Sequence, residues 1–451
     1  MIEHPQGTAD LLITGGTIVT QDRDRKIIAD GAIAVVDGAI VDVGDRSDIA
    51  ARWQAAERLD ASGCVVVPGA IDAHHHLTAD PLVRSAIPDG ISSDEAIFEW
   101  ATPIHAGLTA EDDELSSLLT AVECLRYGTT TVIEAGTVAH PHAVAGAMLR
   151  AGIRGTVGRW GWDTEGLPFA APAGEVLALQ SELVEAYPPG GMVEGWATLV
   201  GHDLASDDLL EGVAALAREK GCGLTFHLSP TEADVDGYRK RSGLRPAEHL
   251  NKIGVLGPHL LLAHAVWIDE AELELLLDTR TAVAYCPWAY LRLAQGVTRA
   301  GRHAAMIRRG GRVALGCDSV NAGDIGDMYR AAVLAVGLAR DMEMDPRSVT
   351  AATGLDLITI RGAEAVGMAD RIGSIEIGKR ADIVLHDTRV PSWRPAGRPD
   401  LNLIWGTDGR SVRDVVVDGR IVVRDGRSTL IDEDELAARA AEVSARILRA
   451  R

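Results

Sequence analysis

The sequence predicts an α/β fold, a (β/α)8 barrel of the TIM type with a small β-sandwich domain formed by both chain ends. Eight short apolar segments alternate with helical stretches rich in Ala, Leu and Glu. Strands that are apolar throughout are buried on both faces, and helices between them indicate parallel crossovers. An eightfold repeat of this unit over roughly 250 to 300 residues is typical of a barrel.

The predicted barrel strands are short and follow one another at regular intervals. They occupy residues 65–71, 129–133, 153–157, 195–200, 223–227, 260–264, 281–285 and 312–316. A doubly wound open sheet is the alternative for such a pattern, but no Gly-x-Gly-x-x-Gly follows the first strand. The barrel is therefore the preferred fold.

The two ends of the chain differ from its middle in the pattern of apolar and turn-forming residues. Short β-like runs punctuated by Gly and Asp occur in the first 67 residues, and the same pattern returns at 382–386 and 412–426. The sequence therefore predicts a β-sandwich built from two segments, 1–67 and 377–430, with the barrel at 68–376 between them and a C-terminal helix at 431–451.

Charge and composition exclude several partners. The 451 residues include 44 Lys and Arg against 65 Asp and Glu, which gives a formal net charge of -21. Such a charge repels the phosphate backbone of nucleic acid, and the 9 Trp, 6 Tyr and 3 Phe leave few platforms for stacking bases. No apolar run reaches the roughly 18 to 20 residues of a membrane span. We therefore expect neither a nucleic-acid nor a membrane partner.

The N-terminus and the cysteines predict a cytoplasmic location. The segment MIEHPQGTAD has neither a basic leader nor an apolar signal core. The five Cys residues are scattered and form no C-x-x-C pair, which argues against a disulfide framework or a structural zinc knuckle. A reducing compartment is the expectation.

Ionisable side chains lie at the ends of four predicted barrel strands. His74 and His76 are two residues apart after the first strand, so both point to one face while His75 points away. Three further strands end in the same manner, at His227, His264 and Asp318. Each residue alone is more typical of a satisfied hydrogen-bonding group. A barrel brings these ends within a few Å of one another, however, and imidazole with carboxylate predicts a divalent metal site.

Several motifs resemble one known family. PGAIDAHHHL at 68–77, LLAHAV at 261–266 and ALGCDS at 314–319, together with the strand end at His227, resemble the amidohydrolase superfamily. The branch is the cytosine deaminase-like and triazine hydrolase-like (chlorohydrolase) one. The opening ADLLITGGTIVT, the turn GTTTVIEAG and the segment IGSIEIGKRADIVL extend the resemblance over nearly the whole chain.

The resemblance implies a metal centre. It places His74, His76, His227 and Asp318 on the family's four metal ligands. Members with two metals usually supply a carbamylated Lys at the end of the fourth strand, but none of the five Lys residues of this chain lies near Val200. One divalent metal is therefore expected. Zn²⁺ is favoured and Fe²⁺ is the alternative, since both suit imidazole and carboxylate ligands.

The resemblance also implies the catalytic roles of two residues. A bound Zn²⁺ or Fe²⁺ lowers the pKa of a water towards roughly 7. Asp318 is expected to take the proton of that water and to pass it to the leaving nitrogen. His264 falls on the family's histidine that contacts the water or the substrate.

One position departs from the pattern of the deaminating members. They carry a Glu three residues after the fifth-strand His, where it protonates the ring nitrogen under attack, and here that position is Pro230. Pro has no ionisable group, so Glu232, Asp234 or His202 would have to supply the proton. In CPWAYLRL, where relatives tend to have Ser-Asn at two substrate-facing positions, the chain has Ala289 and Tyr290. Both departures argue against simple deamination of a purine or pyrimidine.

Aromatic residues predict a flat wall for a planar substrate. The segment 78–108 contains Phe98, Trp100 and His105 and resembles the substrate-covering loop of the family. Trp288 lies on another barrel loop. The predicted substrate-binding residues are Trp100, His202, Trp288 and Glu232.

These observations predict a mononuclear metal-dependent hydrolase that attacks an electrophilic carbon of a planar N-heterocycle. The bond broken is C–N or a bond to another leaving group. Two alternatives stay open, a hydrolase that opens the ring of a cyclic amide or imidazolone, and a catalytically silent relative that serves as a scaffold. The only expected partner is a small-molecule substrate, and the resemblance adds a homo-oligomer by analogy.

Overall fold

A computed structural model describes residues 7–323 and 325–450. The first strands are β1 (Gly7–Val19), β2 (Ile27–Val36), β3 (Ala39–Asp45), β4 (Trp53–Asp60) and β5 (Cys64–Pro68). The next are β6 (Ala70–His75), β7 (Thr129–Glu134), β8 (Arg154–Val157), β9 (Val193–Gly195), β10 (Ala197–Gly201), β11 (Leu224–Leu228), β12 (Leu260–His264), β13 (Ala282–Tyr285) and β14 (Val313–Leu315). The last are β15 (Ile383–Asp387), β16 (Val412–Val417), β17 (Arg420–Arg424) and β18 (Arg427–Ser428).

Most of the helices connect strands in the middle of the chain, and a few lie near its two ends. They are α1 (Arg46–Arg52), α2 (Thr102–Ala106), α3 (Ala110–Arg126), α4 (Pro141–Ala151), α5 (Ala173–Ala186), α6 (Asp207–Lys220), α7 (Glu232–Ser242), α8 (Pro246–Lys252), α9 (Glu270–Asp278), α10 (Pro287–Arg292), α11 (Val297–Ala300), α12 (His303–Arg308), α13 (Met328–Glu343), α14 (Ala351–Leu357), α15 (Ile360–Ala365), α16 (Pro399–Trp405) and α17 (Glu433–Ala450). Short 3-10 turns lie at Asp80–Val83, Pro391–Trp393 and Gly409–Ser411, and Glu95–Ala101 is a π-helix.

Eight parallel strand positions form a barrel. One array has the order β6-β7-β8-β9 and the other β10-β11-β12-β13-β14. They meet at Trp196, which separates β9 from β10 and donates its backbone N–H to Val157 O at 3.1 Å. At the opposite edge the N–H of Asp318 donates to His74 O at 2.9 Å and links the last strand to the first. The amidohydrolase-like α/β architecture expected from the sequence is thus observed.

The predicted first strand, 65–71, is two strands. β5 belongs to the sheet of the chain ends, β6 belongs to the barrel, and Gly69 lies between them. A Cβ atom at Gly69 would lie 2.0 Å from the Oγ1 atom of Thr130. The crossing from one sheet to the other therefore requires the close backbone approach that only Gly allows.

The two chain ends share one sheet of nine strands. Its order is β18-β17-β16-β15-β5-β1-β2-β3, and β4 pairs with β1. One apolar cluster joins strands from both ends and includes Leu11, Ile13, Ile33, Val35, Ile383, Leu385, Val416 and Ile421. The alternate side chains of Val384, Val415 and Val417 pack into the large cluster that contains the barrel. Because side chains alternate along a strand, the end sheet has its own core and a second face on the barrel.

The C-terminal helix α17 packs over the barrel near the loop that follows β6. Ile447 contacts a small cluster formed by Ala79, Val83, Ile104 and Leu108. Among the described helices, none is long and apolar enough to cross a membrane.

His386 in β15 joins the end sheet to the barrel helices. Its Nδ1 atom lies 2.8 Å from Ser411 Oγ and its Nε2 atom 2.8 Å from the hydroxyl of Tyr329 in α13. Burial lowers the pKa of His386 to about 3, although the charge of Asp408 opposes the shift. Between these two pKa values the ring of His386 therefore stays neutral in the folded protein. In the unfolded chain, where the pKa of His is about 6.5, the ring is protonated.

Acidification should therefore destabilise the protein through His386. The stabilisation is fully present above pH 6.5 and is lost as pH falls towards the folded-state pKa, by about 2 kcal/mol at pH 5. Urea unfolding at pH 7 and pH 5 measures the loss. A His386→Gln variant should be less stable at pH 7 and show a smaller difference between the two pH values. An equal difference in both proteins would contradict this assignment.

Candidate active site

The five ionisable residues at strand ends converge at one end of the barrel. The ring centroid of His74 lies 5.1 Å from that of His76, 4.8 Å from that of His227 and 5.3 Å from that of His264. Asp318 Oδ1 lies 3.3 Å from His76 Nε2 and 3.9 Å from His74 Nε2. Asp318 Oδ2 lies 4.0 Å from His264 Nε2. The five side chains thus surround one small volume.

Backbone conformation turns two of these residues inward. His264 has φ 75° and Asp318 has φ 64°, in the left-handed region that residues other than Gly rarely adopt. Each such residue costs of order 1–3 kcal/mol, and such strain is typical of functional sites. The carbonyl of His264 is held at 2.7 Å by His303 Nε2 and at 3.3 Å by the hydroxyl of Tyr290.

Hydrogen bonds fix the ring orientation of two histidines. His76 Nδ1 lies 2.7 Å from Thr137 Oγ1, and His227 Nδ1 donates to the carbonyl of Val200. A ring nitrogen bonded to a carbonyl carries the proton, so Nε2 of His227 offers a lone pair. The Nε2 atoms of His76 and His227 lie 3.4 Å apart, and that of His76 also lies 3.3 Å from Asp318 Oδ1.

His74 is the buried centre of the cluster. It is 1% exposed, and neither ring nitrogen has a hydrogen-bond partner among the described residues. His75 faces away from the cavity, as the alternation predicts, and its Nδ1 lies 2.8 Å from Asp72 Oδ2. Asp72 Oδ1 also accepts from the N–H of His74 and of Cys317, at 3.2 and 3.1 Å, and so fixes the first strand against the last.

Burial and mutual repulsion set the protonation of the site. Burial lowers the pKa of His74 well below its usual range and that of His227 to about 3, and neighbouring histidines add to both shifts. Burial alone raises the pKa of Asp318, but the hydrogen bond of His76 and the charges of His264 and His74 outweigh it and hold that pKa well below its usual range. The low pKa values of His74, His227 and Asp318 favour the neutral imidazoles and the carboxylate that bind metal. Burial alone lowers the pKa of His76, but the hydrogen bond and charge of Asp318 outweigh it and raise that pKa.

The donor set fits a divalent metal. His74, His76 and Asp318 form one group whose ligand atoms all lie within 4.8 Å of one another, and His74, His227 and His264 form another. A cation bound at this cluster would satisfy a ring nitrogen of the buried His74, which has no hydrogen-bond partner among the described residues. No Lys lines the cavity among the described residues.

Thr137→Val should weaken metal binding without removing a ligand. The change keeps the volume of the side chain but removes the oxygen that bonds His76 Nδ1. Loss of such an outer partner typically costs 10-fold to 100-fold in metal affinity. Competition with a chelator for Zn²⁺ measures it. Thr131→Val is the matched control because Thr131 Oγ1 is buried on β7 with no partner in the described chain, and equal affinities in the two variants would refute the role of Thr137.

A cavity of about 180 Å³ is lined by four of the five residues, His76, His227, His264 and Asp318. Its apolar wall includes Phe98, Trp160 and Leu293, and its polar wall includes His105 and His202. Trp160 stacks on Phe169 with ring centroids 5.4 Å apart and meets the edge of His105 at 5.2 Å. Burial lowers the pKa of His105 to about 3, so the ring of His105 is neutral around pH 7.

Of the four predicted substrate-binding residues, the structure brings one to the cavity. His202 lines it, whereas Trp100, Trp288 and Glu232 do not belong to the lining among the described residues. Trp100 is two residues beyond Phe98 on the π-helix, and residues so spaced on a helix face different sides. Trp288 lies against the Arg330 guanidinium at 5.2 Å.

Glu232 and Tyr290 also differ from their predicted places. Glu232 is exposed at the first position of α7, while Asp234, two residues later, lines the cavity. Tyr290 is buried and supports the carbonyl of His264 instead of facing substrate. The helical turn, which a count along the sequence does not reveal, decides both positions.

Four residues of the site were not predicted from the sequence. Trp160 follows β8 by three residues, and Glu134 ends β7 with its pKa raised to about 7 by burial. Both occur at the same barrel end as the histidines, which is the signal that could have found them. Asp80 and Asn321 lie on loops, where no periodicity points to them.

Comparisons with known proteins show the family to which the chain belongs. The model of the amidohydrolase family matches residues 65–422, and the chain belongs to that family. A 5-methylthioadenosine/S-adenosylhomocysteine deaminase of Syntrophobacter fumaroxidans is 33% identical over 435 residues, which cover 96% of this chain and 97% of that protein. The deaminase of the same name from Symbiobacterium thermophilum is 33% identical over 453 residues, 97% of this chain and 99% of that protein.

Two solved structures are similar throughout. A zinc-bound adenosine deaminase from Xanthomonas campestris superposes with a TM-score of 0.93 at 27% identity, covering 99% of this chain and all of that one. A variant of the atrazine chlorohydrolase from Arthrobacter aurescens, complexed with zinc and atraton, has a TM-score of 0.88 at 24% identity and shares the fold over 96% of this chain and 100% of that one. Family, fold and site together define a hydrolytic enzyme.

Proposed function

We propose that this enzyme hydrolyses a C–N bond, or a bond to another leaving group, on a planar N-heterocycle. One divalent metal, Zn²⁺ in preference to Fe²⁺, is held by His74, His76, His227 and Asp318. The observation that carries the proposal is the buried ring of His74, unpartnered at both nitrogens within the described chain and surrounded by the other donors.

Asp318 is the proposed base. When bound, the metal supplies a Lewis acid that lowers the pKa of a water from 15.7 to roughly 7. Asp318 presents one oxygen to His76 and the other to His264, so its carboxylate can receive a proton from water and return it to the leaving group. His264, fixed through its carbonyl by His303, is placed to donate a hydrogen bond to the attacking oxygen or to the oxyanion that develops from it.

Pro230 determines which substrates are suitable. It lines the cavity at the position where the deaminating branch has its proton-shuttling Glu, and it offers no proton. Asp234 also lines the cavity, but its Oδ2 atom accepts from the N–H and hydroxyl of Thr231 in a capping box. Glu232 is exposed.

His202 is the proposed replacement for the missing carboxyl. It is 1% exposed, its Nδ1 lies 3.1 Å from the carbonyl of His227, and its Nε2 is buried with no partner among the described residues. His202 thus has one ring nitrogen without a partner in the wall of the cavity, and we propose that it exchanges a proton with a ring nitrogen or a leaving group of the substrate.

The names of the relatives suggest where to begin. They are called deaminases of 5-methylthioadenosine, S-adenosylhomocysteine and adenosine. Since Pro230 removes the usual acid, we expect slow or no deamination of adenosine, cytosine and guanine. The favoured substrate has a leaving group that departs with the help of His202 or without a proton.

A ring-opening hydrolase is the second candidate. The observation in its favour is again Pro230, because the leaving nitrogen of a cyclic amide stays tethered and needs less help. A silent scaffold is the third candidate, and it need hold no metal.

A substrate screen on protein of known metal content separates these functions. Zinc-loaded protein is offered 5-methylthioadenosine, adenosine, cytosine, guanine, atraton and cyclic amides, with ammonia release and ring absorbance followed together. Release of ammonia or another leaving group with the ring intact supports the first function, and loss of ring absorbance without release supports the second. Efficient adenosine deamination that survives His202→Gln would contradict the role given to Pro230 and His202.

His202→Gln should lower kcat on the identified substrate, whereas Glu232→Gln should leave it unchanged. Gln keeps a donor for the carbonyl of His227 but cannot exchange a proton. Stopped assays at saturating substrate measure kcat for both variants. The reverse ranking would assign the acid to Glu232.

We also propose domain boundaries, a cellular location and an oligomeric state for the protein. We interpret the nine-stranded sheet as a β-sandwich formed by two segments of the chain, 1–67 and 377–430. The barrel, 68–376, lies between these segments in the sequence, and a helix at 431–451 follows them. The cluster shared by strands of both ends supports this. The five Cys residues are buried and form no disulfide among the described residues, which is consistent with a reducing cytoplasm. A homo-oligomer and a small molecule as sole partner are further proposals.

A further inference from the structure

Asp80 is a buried carboxyl group that the chemistry described above does not use. It begins the 3-10 turn that follows β6, directly after Ala79, whose φ is 62°. It is 5% exposed and lines the cavity. A buried carboxylate is costly unless it is hydrogen-bonded, so the position needs an explanation.

Asn321 holds Asp80 in place. Its Nδ2 donates to Asp80 Oδ1 at 2.8 Å, and its Oδ1 accepts from the N–H of Ser85 at 2.9 Å. Asn321 lies on the loop after β14, three residues beyond Asp318. The amide therefore joins the loop after the first barrel strand to the loop after the last, and it presents Asp80 in one orientation beside the catalytic carboxylate.

The other carboxyl groups of the described lining have evident roles or are solvated. Asp318 belongs to the metal cluster, and Asp234 caps α7. Asp94 and Asp203 are exposed. Asp80 is therefore the buried carboxyl in this lining that remains for recognition.

We propose that Asp80 anchors the substrate by accepting a hydrogen bond from an N–H group on the heterocycle, with Asn321 as its positioning residue. The inference rests on the proposed function and narrows its substrate class to rings that carry an amino group or a ring N–H. Such a bond lies in a cavity whose lining also includes the apolar side chains of Phe98 and Trp160. Hydrogen bonds to a charged group are stronger there than in water.

Burial raises the pKa of Asp80, although the charge of His76 and the hydrogen bonds of Asn321 and Ser319 act in the opposite direction. A bound N–H donor stabilises the carboxylate and offsets part of that penalty. A ligand in which the N–H is methylated leaves the carboxylate without a partner and meets it sterically. Discrimination between the two ligands therefore measures the anchor.

The test uses two planar probes that share a ring nitrogen for the metal and differ in N–H groups. Calorimetry on zinc-loaded protein compares 2-aminobenzimidazole, which carries N–H donors, with 1-methylbenzimidazole, which carries none. We expect the first to bind at least 10-fold more tightly. Asp80→Asn, which replaces an acceptor oxygen by a donor, should remove most of this preference while zinc content and Tm stay as in the unmodified protein.

Two more variants complete the design. Asp89→Asn makes the same charge change at an exposed position of the same loop and should keep the full preference. Asn321→Ser releases Asp80 and should reduce the preference even if Asp80→Asn does not fold.

Absence of any preference in the unmodified protein, or a preference unchanged in Asp80→Asn or in Asn321→Ser, would overturn the proposal. Because binding is read without turnover, an intact preference in a protein that hydrolyses nothing in the screen would reject the proposed function and keep the anchor.

Discussion

Replacing Asp318 by Asn should lower kcat by about 10²-fold to 10⁴-fold, the range associated with general acid–base groups. The change preserves the volume of the side chain and one ligand oxygen, but the amide cannot receive a proton. In the structure Asp318 is 5% exposed, is held in the left-handed region and lies within 4.0 Å of three histidines. No other carboxyl of the described lining shares that position.

The measurement is kcat of zinc-loaded protein on the substrate found in the screen, with metal content determined in the same samples. Asp278→Asn, an exposed change at the end of α9, is the matched control and should behave as the unmodified enzyme. Near-normal turnover of Asp318→Asn with metal bound would show that another base acts. Loss of metal together with turnover would place the effect on the ligand role.

His76→Ala should abolish stable metal occupancy. The change removes one of four proposed ligands and leaves the remaining donors, among them the unpartnered His74, around a void. We expect the affinity to fall further than the roughly 10-fold to 100-fold typical of losing an outer partner such as Thr137. His76→Ala, which removes the ligand, should therefore lower the metal affinity more than Thr137→Val, which removes only the hydrogen-bond partner of that ligand.

Elemental analysis after dialysis against chelator-free buffer measures the occupancy. His142→Ala is the control, because His142 is exposed and its Nδ1 contacts only the hydroxyl of Tyr187, at 3.0 Å, among the hydrogen bonds described. Full occupancy in His76→Ala would remove His76 from the ligand set. A fall in occupancy equal to that of the control would do the same.

The barrel and the cluster of His and Asp side chains at its end could be predicted because both depend on local order. A His or Asp that directly follows an apolar strand is a candidate site residue. The carboxyl ends of parallel barrel strands lie close together independently of the loop sequences. The spacing of His74 and His76 specifies one face of a strand. Even the departure at Pro230 could be read from the sequence, since it lies three residues after His227.

The rest of the site could not be predicted because it depends on contacts across the chain. The bond between Asn321 and Asp80 joins residues 241 positions apart on two irregular loops. Whether Phe98 or Trp100 faces the cavity depends on the π-helix that carries them. The division of the first strand at Gly69 depends on the approach of Thr130 from the next strand.

Titration of metal-stripped protein with Zn²⁺, with turnover of the identified substrate followed at each addition, decides whether this chain is a mononuclear metal-dependent hydrolase. We expect the stripped protein to be inactive, and we expect activity to rise in proportion to added metal and to saturate at about one ion per chain. Full activity without metal, or saturation that requires two ions per chain, would be incompatible with the proposed site.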